Sequence, residues 1–309
     1  MKNLVFMFDG QGAFKPGVGK DLNNRYPKAN KIIKKSSEKL GYDLIDFLWG
    51  AKASETSNRT SIAQPAISAI SLAYAEVLKD LGIEAEVCLG HSLGELTAIV
   101  YCGIVKFEDG IKIIQKRGEL MEKGGKQGSM MAVLNIELNG LKSACQEIEK
   151  QISEPVVIAN INAPDQIVVS GSKEGLKMVA QYTLQNHGRS ILLSVGGAWH
   201  SPYLNDVAKD FAQFLDGVKF RKPSKKFYSV VEQKTLDDAD LIKDSLKRQM
   251  LAQVNWVSAI ENLHNLGYER FLEIGPSKIL KDLVIKVKPG AKTESTALFT
   301  DLTALKKSF

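Results

Sequence analysis

Apolar and polar positions alternate with two periods along this chain, and the changes between them mark out its elements. Short unbroken apolar runs predict buried strands at Leu4 to Phe8 and Val87 to Gly90, because a strand covered on both faces shows no alternation. Longer stretches predict helices at Gln64 to Leu81, opened by Pro65, and at Leu93 to Cys102. In Phe107 to Glu122 the apolar residues Phe107, Ile111, Ile114 and Met121 fall at helical spacing, and Arg117 shares their register, so an arginine is expected on an inward face. From Gly128 the order becomes strand (130–134), helix (138–151), strand (156–160), strand (166–170), helix (173–186) and strand (189–194), the βαββαβ signature of a ferredoxin-like unit. Helices over 202–217, 240–250 and 255–267 and a strand over 270–274 complete the pattern. The expectation is an α/β protein whose hydrolase-like parallel sheet, residues 1–126 and 197–309, is interrupted by a smaller domain over 127–196.

The chemistry is concentrated where the second strand ends. Gly90-His91-Ser92-Leu93-Gly94 is a Gly-x-Ser-x-Gly sequence with a strand before it and a helix after it, the setting of a nucleophile elbow. Ser92 is the candidate nucleophile. A serine hydroxyl needs a base, and the chain offers four histidines, of which His187 and His264 read as surface positions and His91 points away inside the elbow. His200 follows the apolar run 191–193 in a loop shaped by Gly196, Gly197 and Pro202, at a strand end, where α/β proteins place working residues. The plain alternative is a loop histidine satisfied by backbone. For Arg117 the plain alternatives are a structural ion pair or a stem that snorkels to the surface; beside a serine nucleophile it suggests a substrate that carries a carboxylate.

These blocks carry a resemblance. Phe8-Asp9-Gly10-Gln11-Gly12, the elbow with Glu95, Gln115 to Met121, Asn160 to Gly171, Gly197-Ala198-Trp199-His200-Ser201, Arg248-Gln249-Met250 and Glu273-Ile274-Gly275-Pro276 occur in the order seen in malonyl-CoA:acyl carrier protein transacylases, over most of the chain. The resemblance implies Ser92 as nucleophile and His200 as its base, oriented by the backbone carbonyl of Gln249. It implies an oxyanion hole from the backbone N–H groups of Gln11 and Leu93, Arg117 on the malonyl carboxylate, and an acyl pocket bounded by Trp199 and Met121. Phe14 stands where relatives often have glutamine, and Trp199 where malonyl-selective members often have phenylalanine. The implied substrate is malonyl-CoA, the implied partner a phosphopantetheine-bearing acyl carrier protein of fatty-acid or polyketide synthesis, with no permanently bound cofactor and no metal. An acyl hydrolase would use Ser92 and His200 in the same way, but uncharged acyl chains would leave Arg117 without a partner. A silent docking subunit would have no use for the three together.

Composition narrows the picture further. The 309 residues, 44% hydrophobic and 25% charged, suit a globular chain with a full core. No signal-peptide pattern and no apolar run of membrane-spanning length is evident, so a cytoplasmic protein is expected, and no long surplus amphipathic helix suggests an obligate assembly, so the expectation is a monomer. Cys88, Cys102 and Cys145 are odd in number and widely spaced, which fits reduced thiols. The excess of 41 basic over 35 acidic residues, net +6, comes without an aromatic platform or a helix-turn-helix pattern, which argues against nucleic acid and suits an acidic carrier protein and the phosphates of CoA.

Overall fold

The computed structural model describes residues 3–56 and 59–307. Its strands are β1 Leu4–Phe8, β2 Val87–Gly90, β3 Ser129–Leu134, β4 Val156–Ala163, β5 Gln166–Gly171, β6 Arg189–Leu192, β7 Lys226–Ser229, β8 Lys234–Leu236, β9 Val254–Asn255, β10 Arg270–Ile274 and β11 Lys292–Ser295. The first sheet runs β11-β10-β1-β2-β7-β8, parallel except for the β7–β8 hairpin. All five residues of β1 are buried, as a central strand covered on both faces requires. The second sheet runs β6-β3-β5-β4-β9, and its first four strands have the antiparallel ferredoxin-like order that the βαββαβ pattern implies. The short β9 comes from the later part of the chain and pairs with β4 in parallel, stitching the two units together.

Packing joins them as well. Met130, Ala159 and Val168 of the second sheet share one hydrophobic cluster with the helices that cover the first, whereas Leu141, Ile148 and Val179 form the smaller unit's own core. The helix Thr60–Asp80 lies at the centre, buried along nearly its whole length. It begins four residues before the expected start at Gln64, so Pro65 sits inside it. Its first turn is held from outside: Glu122 Oε2 accepts from the Ser61 N–H at 2.7 Å, a tertiary cap no local pattern announces. This helix is also long and apolar enough to cross a membrane, contrary to the expectation that no such run exists, but its surroundings are the protein core. Helices also form early in the chain, over Lys20–Arg25, Pro27–Leu40 and Leu44–Trp49, where the sequence pattern marks no element. Cys88, Cys102 and Cys145 are free and buried.

Candidate active site

β2 delivers Ser92 to the carboxyl edge of the parallel sheet, where open α/β sheets hold their ligands. The turn is strained at the serine itself, with φ 51° and ψ −104°. Gly90 and Gly94 are required for a different reason. A Cβ on Gly90 would come within 1.9 Å of the Gly94 carbonyl carbon, and one on Gly94 within 1.9 Å of the Phe8 oxygen, so only bare backbone lets the elbow pack against β1.

Ser92 Oγ lies 2.8 Å from His200 Nε2, and His200 Nδ1 lies 2.8 Å from the carbonyl oxygen of Ala252. A carbonyl can only accept, so Nδ1 carries the proton and Nε2 offers its lone pair to the serine hydroxyl. The orienting acceptor is thus Ala252 rather than Gln249, whose carbonyl acts on the imidazole more weakly. The helix Ala239–Arg248 ends at Gln249, and the turn that follows carries the Ala252 carbonyl to the ring. Burial, and then the nearby Arg117 charge, push the His200 pKa down to about 3, which keeps the imidazole neutral and able to accept a proton.

Arg117 is 1% exposed on the helix Phe107–Gly124, so it does not snorkel, and all three of its hydrogen bonds go to neutral groups rather than to an ion-pair partner. Its Nε donates to Gln249 Oε1 at 3.1 Å, Nη1 to Gln64 Oε1 at 3.0 Å and Nη2 to Ser92 Oγ at 3.0 Å. A guanidinium has five N–H donors, so these bonds leave two for a ligand. Burial lowers its pKa to about 10, and the Coulombic pull of Glu95 opposes the shift, so it remains a cation at neutral pH.

Further side chains, whose mutual contacts the sequence does not announce, hold this arrangement. Gln249 Nε2 donates to the Ser92 carbonyl at 2.6 Å and to Glu95 Oε2 at 3.3 Å. Glu95 Oε1 in turn accepts from Ser229 Oγ and the Val230 N–H, both at 3.0 Å, and burial pushes its carboxyl up to about 7. Gln64 Nε2 reaches Gln11 Oε1 at 3.2 Å and Met121 Sδ at 3.3 Å. Glu95, Gln249, Gln11 and Met121 lie in the blocks that carry the resemblance, and Gln64 has a signal of its own, an amide within a buried apolar helix, where an unpaired polar group is costly. His91 turns away from Ser92, as expected, and meets Asn162 Oδ1 at 2.8 Å on the second sheet.

Gln11, Ser92, Arg117, Met121, Trp199 and His200 all line one cleft of about 270 Å³ between the two sheets, with Asn160, Asn162 and Val168 on its far wall. Gln11 and Leu93 each open the first turn of a helical segment, where backbone N–H groups lack an intrahelical acceptor. Trp199 is 7% exposed, and its indole Nε1 is buried without a hydrogen-bond partner. Among the described residues no group of His, Cys, Asp and Glu side chains could hold a metal ion.

A parallel sheet with a strained elbow serine, a neutral histidine behind it and a cleft closed by a ferredoxin-like unit defines a serine-dependent acyl-transfer protein. The chain belongs to the family described as the acyl transferase domain, whose model matches residues 5–299. It is similar to the malonyl CoA-acyl carrier protein transacylase of Bacillus subtilis (strain 168), 32% identical over 296 residues that cover 95% of this chain and 93% of the relative. The enzyme of the same name from Staphylococcus aureus (strain MRSA252) is 31% identical over 310 residues, 98% of each chain. Among solved structures, an acyl carrier protein S-malonyltransferase from Vibrio cholerae O1 biovar eltor str. N16961 superposes with a TM-score of 0.93 at 28% identity, covering 100% of both chains. A malonyl-transacylase in complex with a type II PKS acyl-carrier protein in its holo form does so with a TM-score of 0.93 at 27% identity, covering 99% of this chain and 98% of that one.

Proposed function

We propose that this chain moves a malonyl group from malonyl-CoA to the phosphopantetheine thiol of an acyl carrier protein by way of a malonyl-Ser92 ester. Ser92 Oγ attacks the thioester carbonyl while its proton passes to His200 Nε2. The backbone N–H groups of Gln11 and Leu93 receive the negative charge on the carbonyl oxygen. The C–S bond then breaks and His200 returns the proton to the departing CoA sulfur. In the second half His200 takes the proton of the carrier thiol, the sulfur attacks the ester, and Ser92 leaves with that proton restored. The kinetics are ping-pong.

The observation that carries this reading is the position of Arg117: a buried cation whose Nη2 is 3.0 Å from the nucleophile and which has two donors to spare. A carboxylate one methylene from the thioester carbonyl meets that geometry, and Met121 and Trp199 bound the space beside it. An uncharged acyl chain would leave the guanidinium facing methylenes. The relatives' names and the carrier-protein complex of one structural neighbour support the same donor and acceptor. The basic surplus suits an acidic carrier, and the reaction belongs to fatty-acid or polyketide synthesis in the cytoplasm, by a monomer whose catalytic domain, 1–126 with 197–309, is closed by a small domain over 127–196.

Mass spectrometry after mixing with malonyl-CoA, then with holo carrier protein, tests the reading. A malonyl adduct on Ser92 that moves to the carrier is the expected result, absent in Ser92→Ala. An adduct lost to water equally fast without the carrier would instead mark a hydrolase.

A further inference from the structure

Behind the oxyanion turn lies a buried acidic cluster that the transfer chemistry does not use. Asp9, which directly follows β1, is 1% exposed, and Glu273 of β10 is fully buried. Their strands are neighbours, in register from Leu4 with Arg270 to Phe8 with Ile274. Between the two carboxyl groups stands Ser277, whose Oγ lies 2.6 Å from Glu273 Oε1 and 3.1 Å from Asp9 Oδ1. The Ser277 N–H also points at Asp9 Oδ2 at 3.2 Å, and the Lys281 N–H donates to Glu273 Oε2 at 2.7 Å.

Counting protons decides the state of this cluster. A serine hydroxyl has one proton and cannot donate to two carboxylates at once, so one of the two contacts needs a protonated carboxyl as its donor. Among the described residues no cation offsets two adjacent buried charges: the influences on Asp9 are burial, Glu273 and Ser277, and Lys281 contributes its backbone N–H. With the extra proton on Asp9, the acid donates to Ser277 Oγ, the Ser277 hydroxyl donates in turn to Glu273 Oε1, and Glu273 Oε2 accepts from the Lys281 N–H.

We propose that neutral Asp9, linked to Glu273 through the Ser277 hydroxyl, is a positioning residue that clamps the turn Gly10–Gln11 to the 275–281 loop and so holds the oxyanion donor and one wall of the acyl cleft. This rests on the acyl-transfer reading above. Asp9, Gly10, Gln11, Ser277, Ile279 and Leu280 all line the cleft, so the clamp joins two of its walls. The clamp has little slack: Gly275 has φ +155°, and a Cβ there would come within 2.1 Å of Asp9 Oδ2. Loss of the Asp9 proton leaves two buried like charges across Ser277, which separates the walls, displaces the Gln11 N–H and slows acylation reversibly at alkaline pH. Other titratable groups near the clamp are Tyr74, on the helix Thr60–Asp80, and His91, beside Gly10. Burial pushes the Tyr74 hydroxyl up to about 12 and lowers His91, so neither charges over the same range.

The test combines difference infrared spectroscopy with rapid-quench measurement of Ser92 malonylation, both followed from above the Glu95 value of about 7 to below the Arg117 value of about 10, so that neither group titrates in the window. Wild type is expected to lose the carbonyl stretch of one protonated carboxyl group together with its acylation rate. Asp9→Asn, whose amide still donates to Ser277 Oγ but cannot ionise, is expected to lack both the band and the alkaline fall in rate. Asp9→Ala should reduce kcat about 10- to 100-fold with little change in KM, the cost of a displaced oxyanion donor, and Asp9→Asn should regain most of that loss. An alkaline fall retained in Asp9→Asn, or a wild-type spectrum without the protonated carboxyl, overturns the proposal even if Asp9→Ala does not fold. Wild type that shows the band but forms no malonyl-Ser92 overturns the acyl-transfer reading and the clamp's role in it, while leaving the protonated carboxyl standing.

Discussion

At the scale of single residues the site is a set of neutral partners around one cation. Arg117 is satisfied by two glutamine oxygens and the serine hydroxyl, so a substrate carboxylate adds the anion the pocket lacks. Arg117→Ala should therefore lower kcat/KM for malonyl-CoA about 10- to 100-fold, the worth of charge-assisted hydrogen bonds, while acetyl-CoA turnover falls less or rises; single-turnover acylation with both thioesters checks this. His200 gives a pH prediction. Its folded pKa of about 3 lies below the ordinary 6.5, so the unfolded chain takes up the proton first as pH falls. Its contribution to stability is complete above 6.5 and is lost as pH falls toward 3, and the acid limb of Ser92 acylation should lie below that of a solvent-exposed histidine. Acid-induced unfolding monitored by circular dichroism, beside a pH–rate profile, checks both; an acylation limb at an ordinary histidine pKa would contradict the buried, neutral base.

At the scale of elements the elbow concentrates strain in one residue while its glycines relieve contact. Ser92→Gly and Ser92→Ala both remove the hydroxyl, so their difference isolates the backbone: the glycine variant should be about 1 kcal/mol more stable in urea, reflecting the strained φ less glycine's extra freedom in the unfolded chain. Gly94→Ala should prevent the elbow from packing against β1 and abolish acylation, since its Cβ would overlap the Phe8 carbonyl. The strands and helices of the elbow and of the ferredoxin-like unit were legible because each carries its own period. The early helices were legible too in hindsight: Ala29, Ile33, Ser36 and Leu40 recur on one face of Pro27–Leu40, but lysine density hides that spacing. The start of Thr60–Asp80 was not legible, because the group that caps it comes from Glu122, sixty-one residues away.

At the scale of the whole molecule the two sheets make one cleft, and charge is expected to govern how partners reach it. A net charge of +6 should speed encounter with an acidic carrier protein, so kcat/KM for the carrier should fall as salt is raised from low to physiological ionic strength while the rate of the chemical step, measured from preformed malonyl-Ser92 at saturating carrier, stays constant. A salt-independent specificity constant would remove electrostatic steering from the account.

The sequence by itself determined the elbow and the elements of the ferredoxin-like unit, and it singled out the serine, histidine and arginine that the structure brings together, because these depend on residue type, on local period and on glycines within a few positions. Only the tertiary structure decided how those groups are held. Ala252 orients His200 through a backbone carbonyl, which no side-chain identity can reveal. Gln64 and Gln249 fix Arg117 from elements 53 and 132 residues away, and Glu273 stands against Asp9 because strand pairing brings β1 beside β10. Hydrogen bonds depend on distance in space, and the chain's order sets that distance only once the sheets have formed.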